Sequence, residues 1–215
     1  MVEAVLWDND GVLVGSETLF FETTRAAFAR LHLDLTPELW GKHYLGEGKK
    51  SREVAALLGA PSDRIARMLK GRDRDYLLRL RQAPPLQPKV RETLTRLSGR
   101  VRMAMVTSCH RDQLQLMHAS SGLLGYFDAI MTGDDAPNPK PHPDLYLAGL
   151  KALGAVGERC LAVEDSGRGL AAAQAAGIPC IVVPTKLTRM LAFAGALAVE
   201  PDVSAVLRYI HARGL

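Results

Sequence analysis

Cysteine is scarce in this chain of 215 residues: there are three, Cys109, Cys160 and Cys180, with no C-x-x-C spacing. An odd, scattered set excludes a disulfide framework and a paired-cysteine zinc site. Cys160 and Cys180 stand beside apolar runs, where a small buried hydrophobe is the expected role, and nothing pairs Cys109 with a base. No apolar stretch approaches the ~20 residues of a membrane span, so no membrane partner is expected. There is no Lys/Arg block and no aromatic–basic interleave, which excludes nucleic acid as a partner. The net charge of +4 is scattered and suits an anionic small molecule instead. Internal repeats and low-complexity tracts are absent. The N-terminus enters an acid-bearing strand directly, so no signal peptide is read there and a cytoplasmic location is expected. What is present is a soluble globular composition, 47% hydrophobic and 23% charged, long enough to bury a core without staples.

Four short apolar runs, Ala4 to Trp7, Met103 to Val106, Cys160 to Val163 and Cys180 to Val183, are bounded by polar turns. Continuous runs of this length predict strands covered on both faces, and Ala129 to Thr132 is a shorter candidate. Helical patterns over Val90 to Leu97, from Gln113, over Asp144 to Leu153 and over Gly167 to Ala176 lie between them. The alternation predicts an α/β fold with a doubly wound, mainly parallel sheet. Residues 17–82 break the rhythm with helix after helix. Phe20, Phe21, Thr24, Ala27, Phe28 and Leu31 make an amphipathic stripe, Thr36-Pro37-Glu38 opens a second helix, Ser51 a third and Ser62 a long basic fourth. A stiff Pro84-Pro85-Leu86-Gln87-Pro88 stretch leads back. The expected organisation is a core of residues 1–16 and 83–215 with an inserted helical cap, 17–82, over the strand ends, where ligands bind in open α/β sheets.

The chemistry sits at those strand ends. Asp8-Asn9-Asp10-Gly11 follows the first strand, and residues two apart on an extended chain point to the same side. Two adjacent carboxylates repel unless a cation or shared proton intervenes. Thr107 and Ser108 follow the second run, offering hydroxyls and backbone N–H groups to a phosphate oxygen or, the more ordinary role for such a pair, to a helix N-cap. Lys140 is held between prolines in Pro137-Asn138-Pro139-Lys140-Pro141-His142-Pro143. Glu164-Asp165-Ser166 ends a further strand, and hard oxygen ligands from separate strands suit Mg²⁺. Nucleophile, acid/base, oxyanion donors, cation and metal ligands form a phosphoryl-transfer set.

These four motifs, with Tyr126-Phe127-Asp128 and Gly177-Ile178-Pro179, resemble those of the haloacid dehalogenase superfamily, its β-phosphoglucomutase and phosphoglycolate phosphatase group with a type-1 cap in particular. The resemblance implies Asp8 as nucleophile and Asp10 as acid and base. Mg²⁺ would be held by Asp8, the Asp10 carbonyl, Asp165 and Glu164, and the phosphoryl group by Thr107, Ser108 and Lys140. It implies a phosphatase acting on a small phosphorylated metabolite, from a monomer or weak homodimer. Arg52, Lys49 and Lys50, in Gly48-Lys49-Lys50-Ser51-Arg52, are the implied specificity residues. Departures are Asn9 where relatives are apolar, Gly15 where they carry Asp, Lys89 where Gly is common, and no His in Thr18-Leu19-Phe20-Phe21-Glu22, which weighs against a phosphosugar mutase. A non-catalytic phospho-Asp module is the alternative of another class.

Overall fold

The computed structural model describes residues 2–212. Five parallel strands are β1 (Ala4–Trp7), β2 (Arg102–Val106), β3 (Ala129–Met131), β4 (Cys160–Glu164) and β5 (Cys180–Val182). A two-residue β6 (Ala198–Val199), too short to carry a pattern, completes a sheet of order β3-β2-β1-β4-β5-β6. Alternation divides the strands between two cores. Val5, Trp7, Met103, Met105, Leu161 and Val163 pack with Val90, Leu94 and Leu97 of α5 (Val90–Leu97), Leu114 of α6 (Arg111–His118) and Ile210 of α9 (Val206–Ala212). Ala4, Leu6, Ala104, Val106 and Ala162 pack with Leu145, Tyr146 and Leu150 of α7 (Asp144–Leu153) and Leu170 and Ala173 of α8 (Gly167–Ala175) on the other face. The sheet is thus doubly wound, as the alternating pattern predicts.

Register places the site. Trp7 lies opposite Met105 on one side and Val163 on the other, so the three central strands finish level. The residues that follow, Asp8, Thr107 and the Glu164–Asp165 pair, emerge along one edge.

Between β1 and α5 the chain forms helices only: α1 (Ser16–Ala29), α2 (Pro37–Trp40), a π-helical turn (Gly41–Gly46), α3 (Ser51–Leu57) and α4 (Ser62–Leu80). The Thr36 hydroxyl accepts the Leu39 N–H and caps α2, with Pro37 in its first turn. Phe21, Phe28, Leu35, Trp40, Leu45 and Val54 form a separate apolar cluster, joined by Leu187 from the loop after β5. The proline-rich return is more than a spacer: Gly15 N–H donates to the Pro85 carbonyl (2.9 Å) and Gln87 N–H to that of Leu13 (2.9 Å). The two crossings into and out of the helical segment are therefore tied together. Gly15 is not sterically required there, since an added Cβ would meet Pro85 at an ordinary 3.5 Å.

Candidate active site

β1 delivers Asp8 and Asp10 to a tight turn. Gly11 takes φ +92°, and a Cβ there would overlap the Asp165 carboxylate, so glycine is needed for both conformation and space. Lys140 Nζ, 6% exposed at the end of its proline-framed loop, donates to Asp8 Oδ1 (2.7 Å), Glu164 Oε1 (2.6 Å) and the Val106 carbonyl (2.8 Å). Tyr146, in the first turn of α7, adds a hydrogen bond from its hydroxyl to the same Glu164 oxygen (2.6 Å). Burial works against the Lys140 charge, but Asp8 and Glu164 together raise its pKa above the ordinary value. Burial pushes Asp8 up to about 8, with Lys140 opposing and Glu164 and Asp10 reinforcing the rise.

Asp10 is held at both oxygens: Ser16 donates to Oδ1 (2.6 Å) and Thr107 to Oδ2 (2.8 Å). Thr107 is no helix cap, since α6 begins only at Arg111; its oxygen accepts the Cys109 N–H (3.1 Å) and its proton goes to Asp10. The buried Ser108 hydroxyl has no partner and lines the chamber. Ser166 caps α8 by accepting the Gly169 N–H (3.2 Å), which leaves Asp165 free of that duty.

Asp8, Glu164 and Asp165 each bring a carboxylate oxygen within 4.8 Å of the others. Glu164 Oε2 and Asp165 Oδ2 are buried without a hydrogen-bond partner among the described residues, an arrangement costly without a cation and fitting for one. Burial, then the Asp8 charge, raises Asp165 well above the ordinary carboxylate range. The donor set is all hard oxygen, which fits Mg²⁺. Cys109 faces the chamber, but burial and the Asp10 charge push its thiol up, so it is no thiolate.

The chamber holds about 320 Å³ and reaches the helical segment. It contacts a cavity of about 730 Å³ whose lining includes Lys49, Lys50 and Arg52, together with Lys70, Arg72 and Arg168. Lys49, Lys50 and Arg52, singled out in the sequence, therefore line the outer cavity and not the chamber that holds Asp8. Four further side chains face the chamber, Glu17, Tyr44, Arg72 and Arg168. Arg72, 7% exposed, donates to Thr24 (3.2 Å) and Ser51 (3.1 Å) and lies 4.4 Å over the Phe20 ring. Glu17 accepts from Trp40 Nε1 (3.1 Å), and Arg168 stands 4.0 Å from Glu17 and 4.5 Å over the Tyr44 ring. Only Glu17, an acid placed directly after Ser16 in the first turn of a helix leaving the acidic turn, offered a positional hint.

Among the described residues no helix is long and apolar enough to cross a membrane. The model of the haloacid dehalogenase-like hydrolase family matches residues 5–183. Protein CbbY of Cupriavidus necator is 31% identical over 94% of this chain and 86% of its own. A phosphorylated carbohydrates phosphatase of Thermotoga maritima is 32% identical, covering 82% of each chain. The crystal structure of CbbY from Rhodobacter sphaeroides in complex with phosphate superposes with a TM-score of 0.75 at 28% identity, over 96% of both chains. A variant of that protein in complex with xylulose-(1,5)bisphosphate gives the same TM-score at 27% identity, over 95% of this chain and 96% of the other. With a family match across most of its length and a relative above 30% identity over nearly all of it, the chain belongs to the haloacid dehalogenase-like hydrolases.

Proposed function

We propose that this hydrolase is a Mg²⁺-dependent phosphatase that cleaves a small phosphorylated metabolite, a sugar phosphate or a phosphoglycolate-like acid, by way of an aspartyl-phosphate. The observation that carries the reading is the convergence of Asp8, Asp10, Ser108, Lys140, Glu164 and Asp165 on one chamber. Asp8, the Asp10 carbonyl and Asp165, with Glu164 acting directly or through water, would hold Mg²⁺, which when bound offsets the charge of the phosphoryl oxygens.

Asp8 attacks phosphorus as the bond to the leaving oxygen breaks, and Asp10 gives that oxygen a proton. Asp10 then takes a proton from water, which attacks phosphorus and releases Asp8 and free phosphate. A covalent intermediate divides one hard displacement into two easier ones. Lys140, Ser108 and the backbone N–H groups after β2 hold the phosphoryl oxygens, a role of positioning and electrostatics. Thr107, spent on Asp10 in this geometry, serves the group by fixing the acid/base.

The outer cavity supports a substrate with a second anionic end. Arg52 and Lys50 have no carboxylate partner there among the described residues, and the buried Arg72, paired with Asp73 (2.7 Å), also donates to the Thr24 and Ser51 hydroxyls. Relatives that bind xylulose-(1,5)bisphosphate or are named for phosphorylated carbohydrates point the same way. In this reading residues 17–82 are the cap that selects the substrate, and 1–16 with 83–215 are the catalytic core. The first helix of residues 17–82 presents Phe20, under the Arg72 guanidinium, and Glu17 to the chamber and carries no histidine, which favours hydrolysis over a mutase cycle.

The test is p-nitrophenyl phosphate turnover with and without Mg²⁺, beside Asp8→Asn. Chelation is expected to abolish turnover, and the variant to lower it roughly a thousandfold or more. Equal rates for variant and parent would remove Asp8 as nucleophile. A metabolite screen repeated with Arg52→Ala then reads specificity: a reordered ranking ties the outer cavity to substrate choice, and an unchanged one takes Arg52 out of it.

A further inference from the structure

A chain of polar side chains runs behind the acidic turn, on the side away from the chamber. Asn9 is fully buried and His118, the last residue of α6, is 5% exposed. His118 Nε2 lies 2.8 Å from Asn9 Oδ1, and His118 Nδ1 lies 2.8 Å from the Ser121 hydroxyl. Asn9 Nδ2 reaches Asp10 Oδ2 at 3.4 Å and the Met117 sulfur at 3.6 Å.

Proton directions in this chain follow from its two ends. In its ionised form, the one that takes a proton from water, the Asp10 carboxylate accepts only, so the Asn9 amide then turns its NH₂ toward it and its oxygen toward His118. His118 therefore carries its proton on Nε2. With the neutral ring's proton on Nε2, Nδ1 accepts from the Ser121 hydroxyl, which also lies 3.4 Å from the His118 carbonyl and whose oxygen accepts the Leu123 N–H (3.1 Å). While Asp10 is ionised these donors run toward it, and turning the Asn9 amide would set two acceptors against each other.

We propose that Asn9 and His118 are positioning residues for Asp10: the imidazole locks the Asn9 amide, and the locked amide, with Thr107, fixes the Oδ2 side of the carboxylate. The inference rests on Asp10 being the acid and base. A buried amide and imidazole are expensive in a core that an apolar pair would fill at least as well, and their contact with Asp10 is what they supply in exchange. Neither residue lines the chamber, so substrate contact is not their part.

The experiment compares Asn9→Leu/His118→Leu, His118→Phe and His118→Gln with the parent by steady-state kinetics and thermal unfolding, on p-nitrophenyl phosphate with Mg²⁺. The double variant removes both polar groups together, so its midpoint should not fall, while kcat drops about fivefold with KM nearly unchanged. His118→Phe should lower kcat likewise, and His118→Gln, which keeps an N–H for Asn9 Oδ1, should restore it toward the parent. Parent-like kcat in the double variant, or equal losses in the Phe and Gln variants, overturns the inference. Asp10→Asn separates the two levels. If it stays active, the acid/base reading fails; if it is dead while the double variant is unimpaired, only the positioning role falls.

Discussion

At the scale of single residues, charges are placed where burial makes them matter. Lys140 answers two carboxylates with one ammonium, both at hydrogen-bond distance and all three buried. Removing one partner of such a group leaves an uncompensated charge and costs about 3–5 kcal/mol; a cation beside Asp8, Glu164 and Asp165 would redress the remaining excess of negative charge. His118 shows the same economy with a sign that can be worked out. Burial lowers its pKa below the ordinary 6.5, and Asp10, the charge that faces it across Asn9, opposes without prevailing. The folded state therefore binds fewer protons at His118 than the unfolded chain does just below that value. Stability from this site is complete above about pH 6.5 and is lost as pH falls through the lowered folded value. Unfolding midpoints of the parent and of Asn9→Leu/His118→Leu at pH 7.5, 6.0 and 5.0 check this: the parent should lose ground to the double variant on acidification. Parallel curves would show that the imidazole is not held neutral.

At the scale of elements, most of the fold is written in local pattern. The four short apolar runs became β1, β2, β4 and β5 within a residue at either end, and the leucines of Asp144 to Leu153 became α7. The catalytic candidates were legible for the same reason, because each directly follows a buried run or a rigid turn. Tyr44, Arg72 and Arg168 were not. Arg72 is one basic residue among many in α4, and only its burial against Phe20, Thr24 and Ser51 sets it apart. The π-helical turn and β6 depend on packing that no period encodes. One departure at an element boundary now has its physical reason. Lys89 precedes α5 at φ +64°, in the left-handed region where an L side chain crowds its own backbone. Lys89→Gly should relieve that conformation at the expense of added unfolded-state entropy, for a net gain of up to about 1 kcal/mol. Denaturant unfolding reads it directly, and a lower midpoint in the variant would show that the Lys89–Glu92 pair outweighs the backbone term; at 3.7 Å and exposed, that pair is worth little.

For the whole molecule, the question is how the helical segment meets the sheet edge. Besides the tied crossings, three contacts that bridge them are Tyr76 and Leu80 of α4 packed with Met117 of α6, Leu187 inserted from the core into the apolar cluster of the helices, and Arg168, at the start of α8, over Tyr44 and near Glu17. Arg168 follows the Glu164–Asp165–Ser166 turn by two residues, so the same short segment that would hold the metal also reaches across to the helices. If residues 17–82 open and close as a cap, this clasp favours the closed arrangement, in which water is kept from the aspartyl-phosphate until Asp10 can use it. A cation–π contact is worth about 0.5–2 kcal/mol, so Arg168→Ala should lower kcat/KM roughly 2- to 30-fold. Exchange of amide hydrogens across Gly41–Gly46, the turn that carries Tyr44, should quicken in the same variant. The two readouts belong together: a clasp predicts both, while a guanidinium that only binds substrate predicts slower turnover with the exchange of the free enzyme untouched. Unaltered exchange in Arg168→Ala would therefore assign this arginine to the substrate and leave Leu187, the packing of Tyr76 and Leu80 on Met117, and the paired crossings to hold the two parts of the molecule together.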